Sequence, residues 1–418
     1  MEFLKYVKTP FEYIKMLAKW LVVASVVGIV GGFVGSVFHL SIDYVTEFRV
    51  ENSWLIYLLP IGGLVIALLY GFARKAGKID TNRVIEAVKS DATVPFVMAP
   101  LIFISTVITH LLGGSAGREG AALQLGGSLG FAVGRVFRLD KGDKHIIVMA
   151  GMSAVFAALF GTPVTAMFFA LEVTSVGVMY YAGLVPCAIS ALVASRLAAT
   201  FGLSPVRFLD IDMPDVISIA LTAKVVALAV VCALVSILFC FAIKKCEHYG
   251  KKWMPGSYVR GFAGGIVIVL LTLIAGTTDY NGAGMDVIGR AMNGDAGYEA
   301  FLLKIIFTAV TVAAGFRGGE IVPTFFIGST LGCIAAQLLG IDAGFGAAIG
   351  FVALFCGVVN CPVASFMLAM EVFGGKAMLL FAVVCAVSYV MSGYSSLYKS
   401  QRIMYSKLRD EYVNADTK

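Results

Sequence analysis

The 418-residue chain is 59% hydrophobic and 14% charged, with a mean hydropathy of +0.90 and a formal net charge of +6. That balance excludes a soluble globular domain and defines an integral membrane protein. The positive excess calls for no nucleic-acid partner, because basic segments beside membrane helices are what sets their orientation.

Lys5, Lys8, Lys15 and Lys19 open the chain, and residues 1–17 read as a cytoplasmic N-terminal segment. The apolar run starting near residue 18 outlasts a secretory core and shows no cleavage-like site, which predicts an uncleaved first membrane helix. Further apolar runs start near residues 54, 96, 120, 145, 162, 182, 216, 260, 301, 321, 343, 362 and 376. So many segments do not fit as full-length spans, so several are predicted to be short, tilted or broken. Between Arg135 and Lys144, the residues Arg138, Asp140, Lys141 and Asp143 read as a solvated loop. Asp210, Asp212 and Pro214 mark 207–215 as the junction between a first membrane repeat at 18–206 and a second at 216–393. Residues 394–418 read as a cytoplasmic C-terminal tail, short and polar, made basic by Lys399, Arg402, Lys407, Arg409 and Lys418 and diluted by Asp410, Glu411 and Asp416. Basic ends place both termini in the cytoplasm of a multi-pass protein of the cell inner (plasma) membrane.

Eight cysteines lie mostly within apolar runs and form no CxxC pair, so neither a disulfide framework nor a metal site is predicted. His39, His110, His145 and His248 are scattered, and His110, three residues before a glycine-rich loop, reads as a packing or helix-end residue. No cofactor is implied.

Two stretches are variants of one another. Gly113-Gly114-Ser115-Ala116-Gly117-Arg118-Glu119-Gly120 leads into Ala121–Gly130, and Gly315-Phe316-Arg317-Gly318-Gly319-Glu320 leads into Ile321–Gly332. Farther on, Thr162-Pro163-Val164 through Glu172 recurs as Cys361-Pro362-Val363 through Glu371. The offsets, 202 residues from Gly126 to Gly328 and 199 from Pro163 to Pro362, are nearly equal, which predicts an internal duplication. In each copy a glycine-rich loop precedes an apolar helix, and a later helix starts with Pro and ends with Glu.

Inside a bilayer, such a loop is tolerated only where protein buries it or where it lines a watery cavity. Free peptide N–H groups and the positive end of a helix offer an anion partial charge without a buried Lys or Arg, and glycine lets the anion approach. The plainer alternative, close packing of small residues, explains one such loop better than two matched loops that each carry a glutamate. Glu119 is either a dipole complement paired with Arg118, or a carboxylate that occupies the anion site and leaves on protonation. Glu320 invites the same choice, with Arg317 as its partner. Glu172 and Glu371, near helix ends, read as structural.

Gly117-Arg118-Glu119-Gly120, the run Gly318-Gly319-Glu320-Ile321-Val322-Pro323, and the Pro163 and Pro362 helices resemble the CLC family of anion channels and anion/proton antiporters. The resemblance spans nearly the whole chain. It implies an all-α polytopic membrane protein with a CLC-type inverted repeat, about eighteen membrane helices with many tilted, broken and re-entrant, and a homodimer among membrane lipids with one pore per protomer. It sets Glu119 in the gating position and the Ile321 backbone at the anion, with Gly117, Arg118, Gly120, Gly318, Gly319 and Val322 around it.

Departures from the chloride-type pattern point to a branch. The Gly-Ser-Gly-Ile-Pro loop is replaced by Gly77 through Glu86, Val173 stands where many antiporters carry a second glutamate, and Glu320 stands where an apolar residue is common. All three resemble the bacterial fluoride-exporting branch. Fluoride holds its water tightly, so its site must supply dense hydrogen bonding; protonated Glu320, Thr81 and Asn82 are the expected donors. Thr81 is preferred to Asp80 because an ionised Asp would repel the anion. Tyr398 aligns with the family's pore tyrosine, with Tyr394 as its competitor and an interfacial anchor as the alternative role. The expected activity is export of fluoride in exchange for protons, by a transporter and not an enzyme. A chloride-type antiporter or a passive channel for another small halide is the alternative, and an intramembrane enzyme using Glu119 with His110 lacks a nucleophile or metal set.

Overall fold

The computed structural model describes residues 2–73, 79–214 and 216–417. Gly77, Lys78, Asp215 and Lys418, named above, lie outside the described residues, as do the side chains of Lys5 and Lys8. Each of the fourteen apolar runs is a helix. In chain order these are α1 (Glu2–Glu51), α2 (Leu59–Phe72), α4 (Met98–Leu111), α5 (Glu119–Val136), α6 (Lys141–Phe160), α7 (Pro163–Glu172) and α8 (Leu184–Thr200), then α9 (Ile219–Trp253), α10 (Ser257–Ala275), α12 (Ala300–Ala314), α13 (Ile321–Leu339), α14 (Ala343–Val359), α15 (Pro362–Phe373) and α16 (Met378–Met391). Two short polar helices, α3 (Thr81–Lys89) and α11 (Met285–Met292), bring the total among the described residues to sixteen, not about eighteen.

Among the described residues, seven segments are long and apolar enough to cross a membrane, while six others are apolar but only 10–17 residues long. The short helices are stopped by identifiable chemistry. Pro163 and Pro362 open α7 and α15 at positions where the missing N–H costs nothing, and Gly161 and Asn360, both left-handed, end α6 and α14 just before them.

The core is two matched helix pairs, α5 with α6 and α13 with α14. Their backbones touch: a Cβ on Gly126 would stand 2.2 Å from the Gly151 carbonyl oxygen, and one on Gly328 would stand 2.3 Å from that of Gly350. Small residues that let helices close in this way are the usual basis of helix association in lipid, where burial of apolar surface supplies little drive.

The halves run in opposite senses. Glu172, ending α7, accepts the peptide N–H groups of Val363 (3.3 Å) and Ala364 (3.0 Å) at the start of α15. Glu371 on α15 accepts those of Val164 (3.0 Å) and Thr165 (2.8 Å) at the start of α7. Each repeat therefore caps a helix of the other, which requires the two helices to be antiparallel and satisfies N–H groups that lipid leaves bare. The segment 203–214 is laced to both halves, the Val206 N–H donating to the Phe160 carbonyl (3.0 Å) and the Phe208 N–H to that of Val372 (2.9 Å).

The stretch after α16 is more than a polar tail. Strands β1 (Ser175–Val176), β2 (Arg402–Tyr405) and β3 (Tyr412–Asp416) form one sheet in that order, with β1 parallel and β3 antiparallel to β2. Gln401, fully buried, donates to the carbonyls of Val173 (2.9 Å) and Val359 (2.8 Å). Lys407 donates to Asn360 Oδ1 (2.5 Å), the Tyr389 carbonyl (2.8 Å) and Ser392 Oγ (3.1 Å). Helix ends with free carbonyls recruit these donors, which the polar composition alone did not reveal.

Candidate functional site

The two glycine-rich loops meet back to back. The Gly117 N–H donates to the Gly319 carbonyl and the Gly319 N–H to the Gly117 carbonyl, both at 2.6 Å, as an antiparallel bridge. A Cβ on Gly319 would stand 2.2 Å from the Gly120 nitrogen, so only glycine permits this approach. The frame around them is hydrogen-bonded. The Ser115 N–H donates to Thr311 Oγ1 (3.1 Å), the Arg317 N–H donates to Thr109 Oγ1 (3.2 Å), and the Gly282 N–H donates to the Gly114 carbonyl (3.1 Å). Backbone at membrane depth is thus satisfied inside the protein.

Glu119 begins α5 and is 1% exposed. Its carboxylate folds back onto its own helix start, where Oε2 accepts the Arg118 peptide N–H at 2.9 Å and the peptide N–H of Val322 also faces it. A Cβ on Gly117 would meet that oxygen at 2.5 Å. The Arg118 side chain, the expected partner of Glu119, is instead held mainly by Asp43 at 2.8 Å, with its Nε 3.7 Å from Glu119 Oε1. The carboxylate is therefore held chiefly by backbone.

Glu320 stands at the N-cap position of α13 with no side-chain capping bond, and a Cβ on Gly120 would lie 3.3 Å from its Oε2. The two acids flank one glycine. Arg317, expected as the partner of Glu320, is no such partner within ion-pair distance among the described residues. Its guanidinium lies over the Tyr70 ring, 3.9 Å from the centroid, a cation–π contact. Ile321 and Val322, the first residues of α13, are buried, and Val322 Cβ would stand 3.0 Å from a Cβ on Gly117 of the first loop.

A cavity of about 440 Å³ reaches this point. Thr81, Asn82, Gln124, Gly318, Glu320 and Tyr398 line it, and Lys244, Lys251, Arg260 and Lys399 add positive charge. Glu247 pairs with Lys251 (2.6 Å) and Lys399 (2.5 Å). Thr81 is not in a loop: it starts α3, and Asp80 caps that helix by accepting the Arg83 N–H at 2.9 Å. Asn82 Oδ1 accepts the Ser400 N–H at 3.0 Å, which turns its Nδ2 donors elsewhere. Tyr398 is 3% exposed with an unpartnered hydroxyl, so it is no interfacial anchor; Tyr394 is not among the residues lining the cavity.

Residues 62–393 match the family model described as voltage gated chloride channel. The chain belongs to the CLC family. The "Chloride/fluoride channel protein" of Pseudomonas syringae pv. tomato is 36% identical over 95% of this chain and 89% of that relative. Among solved structures, a CLC-type fluoride/proton antiporter is 31% identical, with a TM-score of 0.87 over 92% of this chain and 98% of that one. A slow cyanobacterial Cl−/H+ antiporter, 19% identical with a TM-score of 0.77 over 89% of this chain and 94% of that one, shares the fold.

Sequence reasoning left out two buried polar residues, Gln124 and Lys304, and the half-buried Arg49 of this CLC protein. Gln124, on α5, lines the cavity. Lys304, fully buried, donates to the carbonyls of Tyr280 (3.2 Å) and Gly282 (2.8 Å) and so props the first loop through Gly282. Arg49 donates to the His110 carbonyl at 2.9 Å. A lone amide or cation in an apolar helix was the available signal. His110 is fully buried, and neither ring nitrogen has a hydrogen-bond partner among the described residues.

Proposed function

We propose that this CLC protein is a proton-coupled anion antiporter that exports fluoride in exchange for protons. The observation that carries the reading is the buried Glu119 carboxylate seated on peptide N–H groups at the meeting of the two loops, with Glu320 across Gly120. A carboxylate held by backbone donors occupies the place where a small anion would sit, so anion and carboxylate compete. Protonation weakens its hold on those donors and frees the position. Fluoride then takes the donors of Gly120, Ile321 and Val322, supported by Glu320, Thr81, Asn82 and Tyr398, and the proton carried by Glu119 moves the other way.

An amide cannot trade a proton, so Glu119→Gln separates the roles. In liposomes loaded with fluoride, the variant is expected to lose at least about tenfold of proton-coupled exchange. Exchange at the parent rate would reject Glu119 as the coupling group.

The residues around Glu119 belong, in this reading, to two membrane repeats (18–206 and 216–393) of each protomer in a homodimer. Both termini face the cytoplasm of a cell whose inner membrane holds the protein. The basic wall of the cavity, Lys244, Lys251, Arg260 and Lys399, then faces the cytoplasm and gathers anions for export.

A further inference from the structure

Gln124 is a buried amide on α5, five residues beyond Glu119, and the reading above gives it no task. It is 4% exposed and lines the same cavity as Thr81 and Tyr398. Its Nε2 lies 3.0 Å from Thr81 Oγ1, whereas its Oε1 and the Tyr398 hydroxyl have no partner among the described residues.

The amide's two orientations lead to one result. With Nε2 donating to Thr81, the Thr81 hydroxyl proton and the second amide N–H find no acceptor among the described residues. With the amide turned, Thr81 donates to Oε1 and both N–H groups are left over. In either case two donors on this wall are left without a partner among the described residues, and the Tyr398 hydroxyl adds a third. Unpaired buried donors facing a cavity are what a small anion needs to replace its water. The donor exists in one repeat only: the residue 202 positions on is Phe326, whose ring packs over the Lys304 ammonium, 4.9 Å from the centroid.

We propose that Gln124 and Thr81 form a paired hydrogen-bond donor that holds the transported anion on the cavity side of Glu119. The inference rests on the anion-transport reading for its ligand. Gln124 is then a binding residue and not a packing residue.

The test is calorimetric titration of the purified full chain with sodium fluoride and with sodium chloride, for the parent, Gln124→Leu and Thr81→Val, with thermal midpoints recorded alongside. Loss of a hydrogen bond to a charged group predicts at least about tenfold weaker fluoride binding in Gln124→Leu. Thr81→Val is expected to weaken binding as well, and the double variant to be no weaker than the product of the singles, because the pair acts as a unit. Unchanged fluoride binding in folded Gln124→Leu overturns the proposal; if that variant does not fold, unchanged binding in Thr81→Val overturns it. If the parent binds chloride and not fluoride, the fluoride reading fails separately, and the donor pair stands or falls on whether Gln124→Leu loses chloride.

Discussion

Gly117 and Gly319 exchange two peptide hydrogen bonds of 2.6 Å, and this bridge brings the starts of α5 and α13 to one point. Glu119 and Glu320 follow it at unequal distances, by two residues and by one. The duplication therefore supplies two helix starts, and the one-residue difference between the acids breaks their equivalence. The inequality leaves the Glu119 carboxylate beside Gly117 and the Glu320 carboxylate beside Gly120, where it lines the cavity.

Gly319→Ala is expected to abolish this arrangement. The added methyl would stand 2.2 Å from the Gly120 nitrogen, which is backbone and cannot turn aside. Forced overpacking of this kind costs about 1–3 kcal/mol, so the thermal midpoint in detergent should fall and fluoride flux should drop at least about tenfold. Flux at the parent level would show that the loops tolerate separation and that their contact is incidental.

Glu172 and Glu371 should behave as caps. Each accepts two peptide N–H groups of the opposite repeat, and losing the charge at such a position costs about 1–3 kcal/mol. Glu172→Gln and Glu371→Gln are thus expected to lower the thermal midpoint while leaving the ratio of protons to anions unchanged in reconstituted protein. A changed ratio in Glu172→Gln would assign that residue to the proton route.

Glu320→Gln keeps a hydrogen-bond donor facing the cavity but cannot ionise. Fluoride binding measured by calorimetry should stay within about threefold of the parent, while proton movement linked to fluoride efflux should fall. Loss of both together would make Glu320 an anion ligand with no part in coupling.

Much of this was legible in the chain. Apolar runs of sufficient length marked all fourteen apolar helices, because hydrophobicity decides what enters a bilayer. The helices α3 and α11 were not visible among the apolar runs, since at nine and eight residues they are short and, though strongly amphipathic, carry too many polar residues to register as apolar segments. Reading Thr81 within a loop followed from that. The matched glycine loops and Pro-to-Glu helices revealed the duplication, whereas the partners of Arg118 and Arg317, namely Asp43 and the Tyr70 ring, lie far away in sequence. Gln401 and Lys407 looked like tail residues because helix-end carbonyls, which recruit them, leave no trace in composition.

The docked tail has a pH signature. Burial lowers Lys407 from an ordinary 10.5 to about 8. Between those values a released tail binds more protons than a docked one, so raising the pH through that window strengthens docking, and docking weakens as pH falls through about 8. The effect is expected to reach roughly 1–3 kcal/mol. Proteinase K cleavage within 402–416 should slow from pH 8 to pH 10 in the parent relative to Lys407→Met, in which the trend should vanish. Identical pH trends in the two proteins would remove Lys407 from the account of how the tail is held.

The most direct measurement of the central claim records fluoride efflux and proton movement together in liposomes containing the parent protein. The account predicts fluoride efflux accompanied by proton uptake, faster than chloride efflux under the same gradient, and fluoride driven outward against its own gradient by an imposed proton gradient. Fluoride efflux without proton movement, or chloride efflux at an equal rate, would contradict it.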